Sequence, residues 1–442
     1  MKNNEIKQLT DREHVLLRSG TYLGSINLTE INTFMLNKNF TKCEWKSVKY
    51  IPALLKIIYE ILDNAIDESL RTNFKYANKI DITVDDKREK ITVRDNGRGI
   101  PLSMTKDAEG NDISQLELAL TSLRAGSNFN DAEGRTSLGQ NGVGSSCTNI
   151  FSKYFHAVSI DGKQKGDLLC ENNMETKTCV IKDYKAKSSE IGTFIEFIPD
   201  YKRFKQKNLS EVHIDLLYQR IMFLSYMYPE IKFTYNGSQV KFKNAKTLVS
   251  IFSDKCVCIQ DNSKVCHYMI GVIPNENDDF THKSYINGAD CVNGGNHLDY
   301  IHSELVGRIK EKLAKKYPSI RPGDIKNRLS YIVCFREFVN PMFNSQTKEN
   351  FSSDTNEIKE FLKAVDWDEF SAKVCKCDEI IDPIVESFKI KEELKNRQTL
   401  NKLGNTGRKK VRCEKYLPAI KENKYISITE RRQPEQLVWL MD

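Results

Sequence analysis

Between residues 50 and 72 apolar side chains recur at helical spacing (Leu54, Leu55, Ile58, Ile61, Leu62, Ile66), and the pattern predicts a helix. Two short alternating runs follow, 79–84 and 90–94, separated by Asp85-Asp86-Lys87-Arg88-Glu89; they predict a hairpin. The second strand ends at Asp95, where Asn96-Gly97 and Gly99-Ile100-Pro101 force a turn. Residues 105–140 are rich in polar and small side chains and read as a mobile flap rather than a packed element. A helix is expected to start at about Ser145, which sets the preceding glycine run at its N-terminus, where main-chain N–H groups point at a bound anion. Strands resume at 155–160 and 179–181, and 192–199 alternates cleanly before Pro199-Asp200. A helical stretch from about 209 to 227 leads to a strand at 232–235. Further on, 330–335 reads as a buried strand, 356–400 as mostly helix, and 401–412 as a linker.

This order of elements predicts an α/β (α+β) protein with a first domain boundary between 225 and 245. With 442 residues and 39% hydrophobic content the chain can bury more than one core. No apolar run approaches the roughly 20 residues of a membrane span, and residues 1–5 lack the apolar core of a signal peptide. No membrane partner and a cytoplasmic location are therefore expected. The 12 cysteines are scattered, which favours reduced thiols. Cys256-x-Cys258 and Cys375-x-Cys377 lack the two-residue gap and second knuckle of a zinc site. The net charge of +7 is unevenly spread. Arg308, Lys310, Lys312, Lys315, Lys316, Arg321, Lys326 and Arg328 crowd one segment and Arg408-Lys409-Lys410-Val411-Arg412 another, runs that suit the phosphates of a polyanion or a solvated helix face.

Candidate chemistry begins on the first helix. Glu60, Asn64 and Asp67 lie three to four residues apart and share one stripe, while Ile57, Ile61 and Leu62 can face a core. A carboxylate and an amide on one stripe can hold a water and a metal ion, which is the equipment for hydrolysing a phosphoanhydride. Glu60 would orient or deprotonate the attacking water, and Asn64 would supply an oxygen to Mg²⁺.

Taken together, this helix, the Asp95-Asn96-Gly97-Arg98-Gly99 turn and the Gly139-Gln140-Asn141-Gly142-Val143-Gly144 loop resemble the Bergerat-type (GHKL) ATP site of gyrase, the Hsp90 chaperone, histidine kinases and MutL. Three further segments narrow the resemblance: Arg18-Ser19-Gly20-Thr21-Tyr22-Leu23-Gly24-Ser25, Gly294-Gly295-Asn296-His297 and Asn344-Ser345-Gln346-Thr347-Lys348-Glu349. They resemble the entry arm, transducer motif and Gln-Thr-Lys loop of type IIA DNA topoisomerases, and they run in the family's order. Asn141-Gly142-Val143-Gly144-Ser145-Ser146 and Tyr416-Leu417-Pro418-Ala419 look most like large subunits of T4-related tailed phages.

The resemblance implies a Bergerat-type ATPase domain over 1–235, a ribosomal S5-like transducer over 236–400, and a linker with the start of a TOPRIM-like region over 401–442. It implies ATP and Mg²⁺ as cofactors. Asp95 would accept the adenine amino group and Thr193 would support it through a water. Ser127 and Asn128 would lie near the ribose and α-phosphate, and Gly139, Gln140, Asn141, Gly142, Val143, Gly144 and Ser145 would cradle the β- and γ-phosphates. Lys348 would reach the γ-phosphate from the second domain, with Gln346 beside it. Double-stranded DNA and a second copy of the chain are the implied partners: ATP closes the dimer on a DNA segment and hydrolysis reopens it, in host cytoplasm if the source is viral. A TOPRIM strand fits 424–430, but Arg431-Arg432-Gln433-Pro434-Glu435 replaces the expected glycine and aspartate. DNA cleavage is therefore expected to need other subunits carrying the TOPRIM and cleavage domains, or domains missing from this chain, the gene being either split or truncated. The alternative is a MutL- or Hsp90-like clamp without strand passage, against which the Gln-Thr-Lys loop and the Gly-Gly-Asn-His segment argue.

Overall fold

The computed structural model describes residues 8–125, 136, 139, 142–277 and 279–406. The first long helix forms from Pro52 to Arg71, with proline in its first turn, where a missing N–H costs nothing. Its apolar side chains are buried as the periodicity requires. The polar stripe is not solvated, however: Lys56, Glu60, Asp63 and Asp67 are buried too, and Asn64 is exposed. The helix packs against the helices Gly144–Ile150 and Glu211–Met227 and the strands Ile91–Asp95 and Gly192–Pro199.

Those strands belong to an eight-stranded sheet. Its spatial order is Ser238–Val240, Lys232–Tyr235, Lys79–Val84, Ile91–Asp95, Gly192–Pro199, Ser152–Ile160, Gln164–Glu171 and Thr176–Asp183. Neighbours are antiparallel except Lys232–Tyr235, which runs parallel to Lys79–Val84. Alternation along Ile91–Asp95 buries Ile91, Val93 and Asp95 on one face, so the last inward position of the strand is a carboxylate. A second sheet has five strands in the order Val257–Gln260, Tyr268–Pro274, Leu329–Phe335, Thr281–Ile286, Ala289–Asp290. Leu329–Phe335 lies inside this sheet, buried along its whole length and parallel to Thr281–Ile286. The helix Asn296–Ala314 follows the last strand. Both sheets belong to one compact unit that ends at Ile384, and a second unit begins at Val385. Among the described residues no helix is long and apolar enough to cross a membrane.

Two expectations are corrected. Part of the stretch 105–140 is packed: the hairpin Met104–Lys106 and Asp112–Ser114 leads into the helix Gln115–Thr121, capped by the Ser114 hydroxyl. Leu116 of that helix is fully buried with Leu102 against Gly166, where any side chain would collide with both leucines. A seven-residue helix offers too few turns for its periodicity to stand out from the surrounding polar residues. From 126 onward that stretch, apart from 136 and 139, lies outside the described residues. The linker expected from 401 also starts too early, because the helix Asp378–Thr406 runs through 401–406. Gly404 costs about 1 kcal/mol of helix propensity, too little to end it alone. Residues 164–171, whose alternation is obscured by Lys165, Gly166 and Asp167, form a strand that the pattern did not announce.

One buried ion pair ties the first helix to the second sheet. Arg220, fully buried on Glu211–Met227, pairs with Asp63 and lies 4.1 Å from the Tyr59 ring centroid. Its Nε and Nη2 also donate to the Gly288 carbonyl at 3.0 and 2.8 Å, in the turn between Thr281–Ile286 and Ala289–Asp290. Asp63→Asn keeps the shape and leaves the guanidinium buried without its counter-charge. The expected loss is about 3 kcal/mol or more of unfolding free energy in urea; a loss under about 1 kcal/mol would mean that Arg220 finds another anion.

Candidate functional site

A cavity of about 800 Å³ opens along one side of the Pro52–Arg71 helix. Glu60 and Asn64 line it from the helix, Asp95 from its strand end and Thr193 from the neighbouring strand. Gly139, Gly142, Val143, Gly144 and Ser145 line it from the glycine-rich turn. Gln346 and Lys348 enter from the loop after Leu329–Phe335, so residues of both sheet regions meet in one space. Ser127, Asn128, Gln140 and Asn141 lie outside the described residues.

At one end of the cavity, Asp95 is buried and held by two main-chain donors. Gly97 N–H reaches Oδ1 at 2.7 Å and Thr193 N–H reaches the same oxygen at 3.3 Å. Burial dominates the two hydrogen bonds and pushes the carboxyl up to about 6. Thr193 thus touches Asp95 directly through its main chain. Arg98, in the same turn, is held by Glu68 through a two-pronged contact at 2.7 and 3.1 Å.

Farther along the helix, Glu60 Oε1 lies 2.6 Å from the Lys56 ammonium one turn earlier, with both side chains buried. Burial alone would raise the Glu60 carboxyl, but the positive charges of Lys56 and Lys348 outweigh it and the pKa falls below its ordinary value. Glu60 is therefore an ionised acceptor at neutral pH. Lys348 is also buried, with its pKa lowered by desolvation and by Lys56 against the pull of Glu60, Asp63 and Asp67. Gly144, the first residue of Gly144–Ile150, sits directly over Glu60, and a Cβ there would overlap Oε2. Asp67 fixes the glycine-rich turn from below, because Gly139 N–H donates to its Oδ2 at 2.7 Å.

The Lys348 loop makes a tight turn. Lys348 N–H donates to the Ser345 carbonyl at 3.1 Å with Lys348 in the left-handed backbone region, and the Ser345 and Thr347 hydroxyls meet at 2.8 Å. The cavity thus brings together every described residue expected to hold the nucleotide or reach its phosphates. It adds Lys56, Asp67 as an anchor of the turn, and the Asp63–Arg220 pair. A lysine four residues before a glutamate in an otherwise apolar helix was the available signal for Lys56.

Comparison with known proteins agrees with this geometry. The family model described as histidine kinase-, DNA gyrase B-, and HSP90-like ATPase matches residues 50–201, and that of DNA gyrase B matches 231–405. The chain is 36% identical over 388 residues to the DNA topoisomerase large subunit of Enterobacteria phage T4, covering 88% of this chain and 72% of that protein. It is 30% identical to DNA topoisomerase 2 of Pisum sativum over 87% of this chain, but spans 26% of that larger protein. Among solved structures, the ATPase region of Saccharomyces cerevisiae topoisomerase II superposes with a TM-score of 0.75 at 26% identity, covering 86% of this chain and 98% of that one. The ATPase and transducer domains of Balamuthia mandrillaris DNA topoisomerase II superpose with a TM-score of 0.77 at 26% identity, covering 89% and 100%. A nucleotide-binding ATPase fold followed by a transducer, 36% identical over 388 residues to a phage large subunit, places this chain in the family of type II DNA topoisomerase large subunits.

Proposed function

We propose that this chain hydrolyses ATP to open and close a homodimeric gate around double-stranded DNA. The observation that carries the reading is the convergence of Glu60 and Lys348, from two different sheet regions, on one cavity. The ATPase domain would run to about residue 235, where the first sheet nears its last strand, and the transducer from 236 to about 400. Leu17 and Leu28, 64% and 58% exposed in the N-terminal arm, offer apolar surface to a second copy. Lys315, Lys316, Arg321 and Lys326 are exposed past the helix Asn296–Ala314 and suit DNA phosphates, whereas Arg308 is paired with Glu304 and Asp368.

In this reading Asp95 accepts the adenine amino group. Gly139, Gln140, Asn141, Gly142, Val143, Gly144 and Ser145 hold the β- and γ-phosphates by main-chain N–H groups, and Ser127 and Asn128 lie near the ribose and α-phosphate. Glu60, ionised and clamped by Lys56, accepts a hydrogen bond from the attacking water and aligns it. Its lowered pKa makes it a better orienter than proton acceptor. Lys348 contacts the γ-phosphate, with Gln346 beside it, and neutralises charge that develops as the bond breaks. The donor set fits Mg²⁺: the exposed Asn64 offers a hard amide oxygen one turn from Glu60. Bound with the nucleotide, the ion would offset phosphate charge.

Glu60→Ala is expected to keep nucleotide binding and lose at least about a hundredfold in turnover; hydrolysis at the wild-type rate would sink the assignment. Lys348→Ala is expected to weaken dimer closure with a non-hydrolysable ATP analogue more than it weakens ADP binding, read by sedimentation and calorimetry. Equal losses would contradict the γ-phosphate contact.

Asp95 makes a prediction with two signs. Its folded pKa of about 6 lies above the unfolded value. Holding it ionised therefore costs stability, a cost that grows as pH rises through that range and reaches about 3 kcal/mol at pH 7. Asp95→Asn is expected to stabilise the nucleotide-free protein by about 1–3 kcal/mol while weakening ATP binding at least about tenfold, since its N–H₂ faces the adenine amino group or Gly97 N–H. In the wild type, kcat/KM should fall below about pH 6 with kcat unchanged, as Asp95 protonates in the free protein. A parallel fall in kcat would assign the titration elsewhere.

A further inference from the structure

We propose that Asn293 and Asn296, with the Gly294-Gly295 pair between them, form a clasp that positions Lys348, so that this segment acts on catalysis through the loop it holds. The inference rests on the reading that Lys348 contacts the γ-phosphate.

The Gly-Gly-Asn-His motif has no polar atom placed in the cavity; its hydrogen bonds run instead to the strand of chain that leaves Lys348. Asn293 N–H donates to the Glu349 carbonyl at 2.8 Å, Phe351 N–H to the Gly294 carbonyl at 2.9 Å, and Asn296 N–H to the Phe351 carbonyl at 3.0 Å. Side chains extend the ladder in both directions. Asn296 Nδ2 donates to the Ser353 carbonyl at 2.9 Å, Asn293 Nδ2 to Glu349 Oε2 at 3.3 Å, and Asn350 Nδ2 to the Asn293 carbonyl at 3.2 Å. On the loop's other side Asn344 closes the base, its N–H on the Asn350 carbonyl at 3.2 Å and its Nδ2 on Asn350 Oδ1 at 2.8 Å.

Contact this close needs a bare backbone. Gly295 has φ +135°, and a Cβ there would overlap the Phe351 main chain. The exit of the Lys348 loop is thus pinned from Glu349 to Ser353, starting one residue after the lysine. A lysine has four rotatable side-chain bonds, so only a fixed backbone delivers its ammonium to one place in the cavity. Asn296 is also the first residue of the helix Asn296–Ala314, which makes that helix the base on which the loop is mounted.

Asn296→Asp separates positioning from folding. Aspartate is favoured in the first turn of a helix, so the helix start keeps its support while the Nδ2 donor to Ser353 is lost. In steady-state assays of the full chain, Asn296→Asp is expected to lower kcat about tenfold, with ADP affinity and the thermal midpoint close to wild type. Asn293→Ala should act in the same direction. In the Lys348→Ala background, adding Asn296→Asp should cost nothing further, because a positioning residue has no effect once the group it positions is gone. A loss of kcat as large in that background as in the wild type, or a loss that tracks falling ADP affinity and thermal midpoint, would overturn the proposal in favour of a purely architectural role. Turnover lost in Lys348→Ala but unchanged in Asn296→Asp would overturn the clasp alone. Turnover unchanged in Lys348→Ala would overturn the phosphate contact and the clasp with it.

Discussion

The structure depends on how one helix buries its charges. Lys56, Glu60, Asp63 and Asp67 all lie inside the protein on Pro52–Arg71, and an unpaired ion in that setting costs several kcal/mol. Each charge is met by a group from a different place. Glu60 is met by Lys56 on its own helix and by the field of Lys348, Asp63 by Arg220 from the helix Glu211–Met227, and Asp67 by the Gly139 N–H of the glycine-rich turn. The helix can be buried only when those elements arrive together. The same demand shapes the cavity, since two of those partners, Lys348 and Gly139, are also walls that a nucleotide would touch.

That arrangement drives two carboxylates of one cavity in opposite directions. Glu60 sits between ammonium groups and stays ionised, while Asp95 has main-chain donors on one oxygen and the like charge of Glu68 nearby, and burial raises it. The difference follows from the backbone: a helix interior can place a lysine one turn from Glu60, whereas a strand end followed by Asn96-Gly97 turns main-chain N–H groups onto Asp95. A permanently charged acceptor suits aligning a water. A carboxylate whose charge is costly until a donor reaches it suits recognising an amino group.

Much of this was legible in the sequence, and the illegible parts share a cause. The Pro52–Arg71 helix, the hairpin that ends at Asp95 and the strand Gly192–Pro199 show because local periodicity records which face is buried. Lys348 shows only through its motif, since a lysine in a loop carries no local sign of where it points. Lys56 was passed over because a lysine and a glutamate one turn apart ordinarily mark an exposed pair of little worth; here both side chains are buried, with Gly144 lying directly over Glu60. The Asp63–Arg220 pair and the bonds from Asn293 and Asn296 to residues 56 and 57 positions away are long-range contacts, which leave no trace in the local side-chain pattern. The helix Gln115–Thr121 was missed for the opposite reason: it is local, but too short to display a period.

The charge arrangement also bears on how such a gate reopens. Lys348 lies buried amid the attraction of Glu60, Asp63 and Asp67 and the repulsion of Lys56. On the proposed reading, a γ-phosphate does not hold this cation alone; it shares it with the carboxylates of the Pro52–Arg71 helix. Hydrolysis then removes one anionic partner among several, and the remaining carboxylates keep a buried ammonium from standing uncompensated. A lysine whose only partner was the phosphate would lose all its compensation when the phosphate left. Keeping the cation buried, on a loop whose exit is fixed to the second sheet's helix, makes closure readable and release attainable with the same few groups.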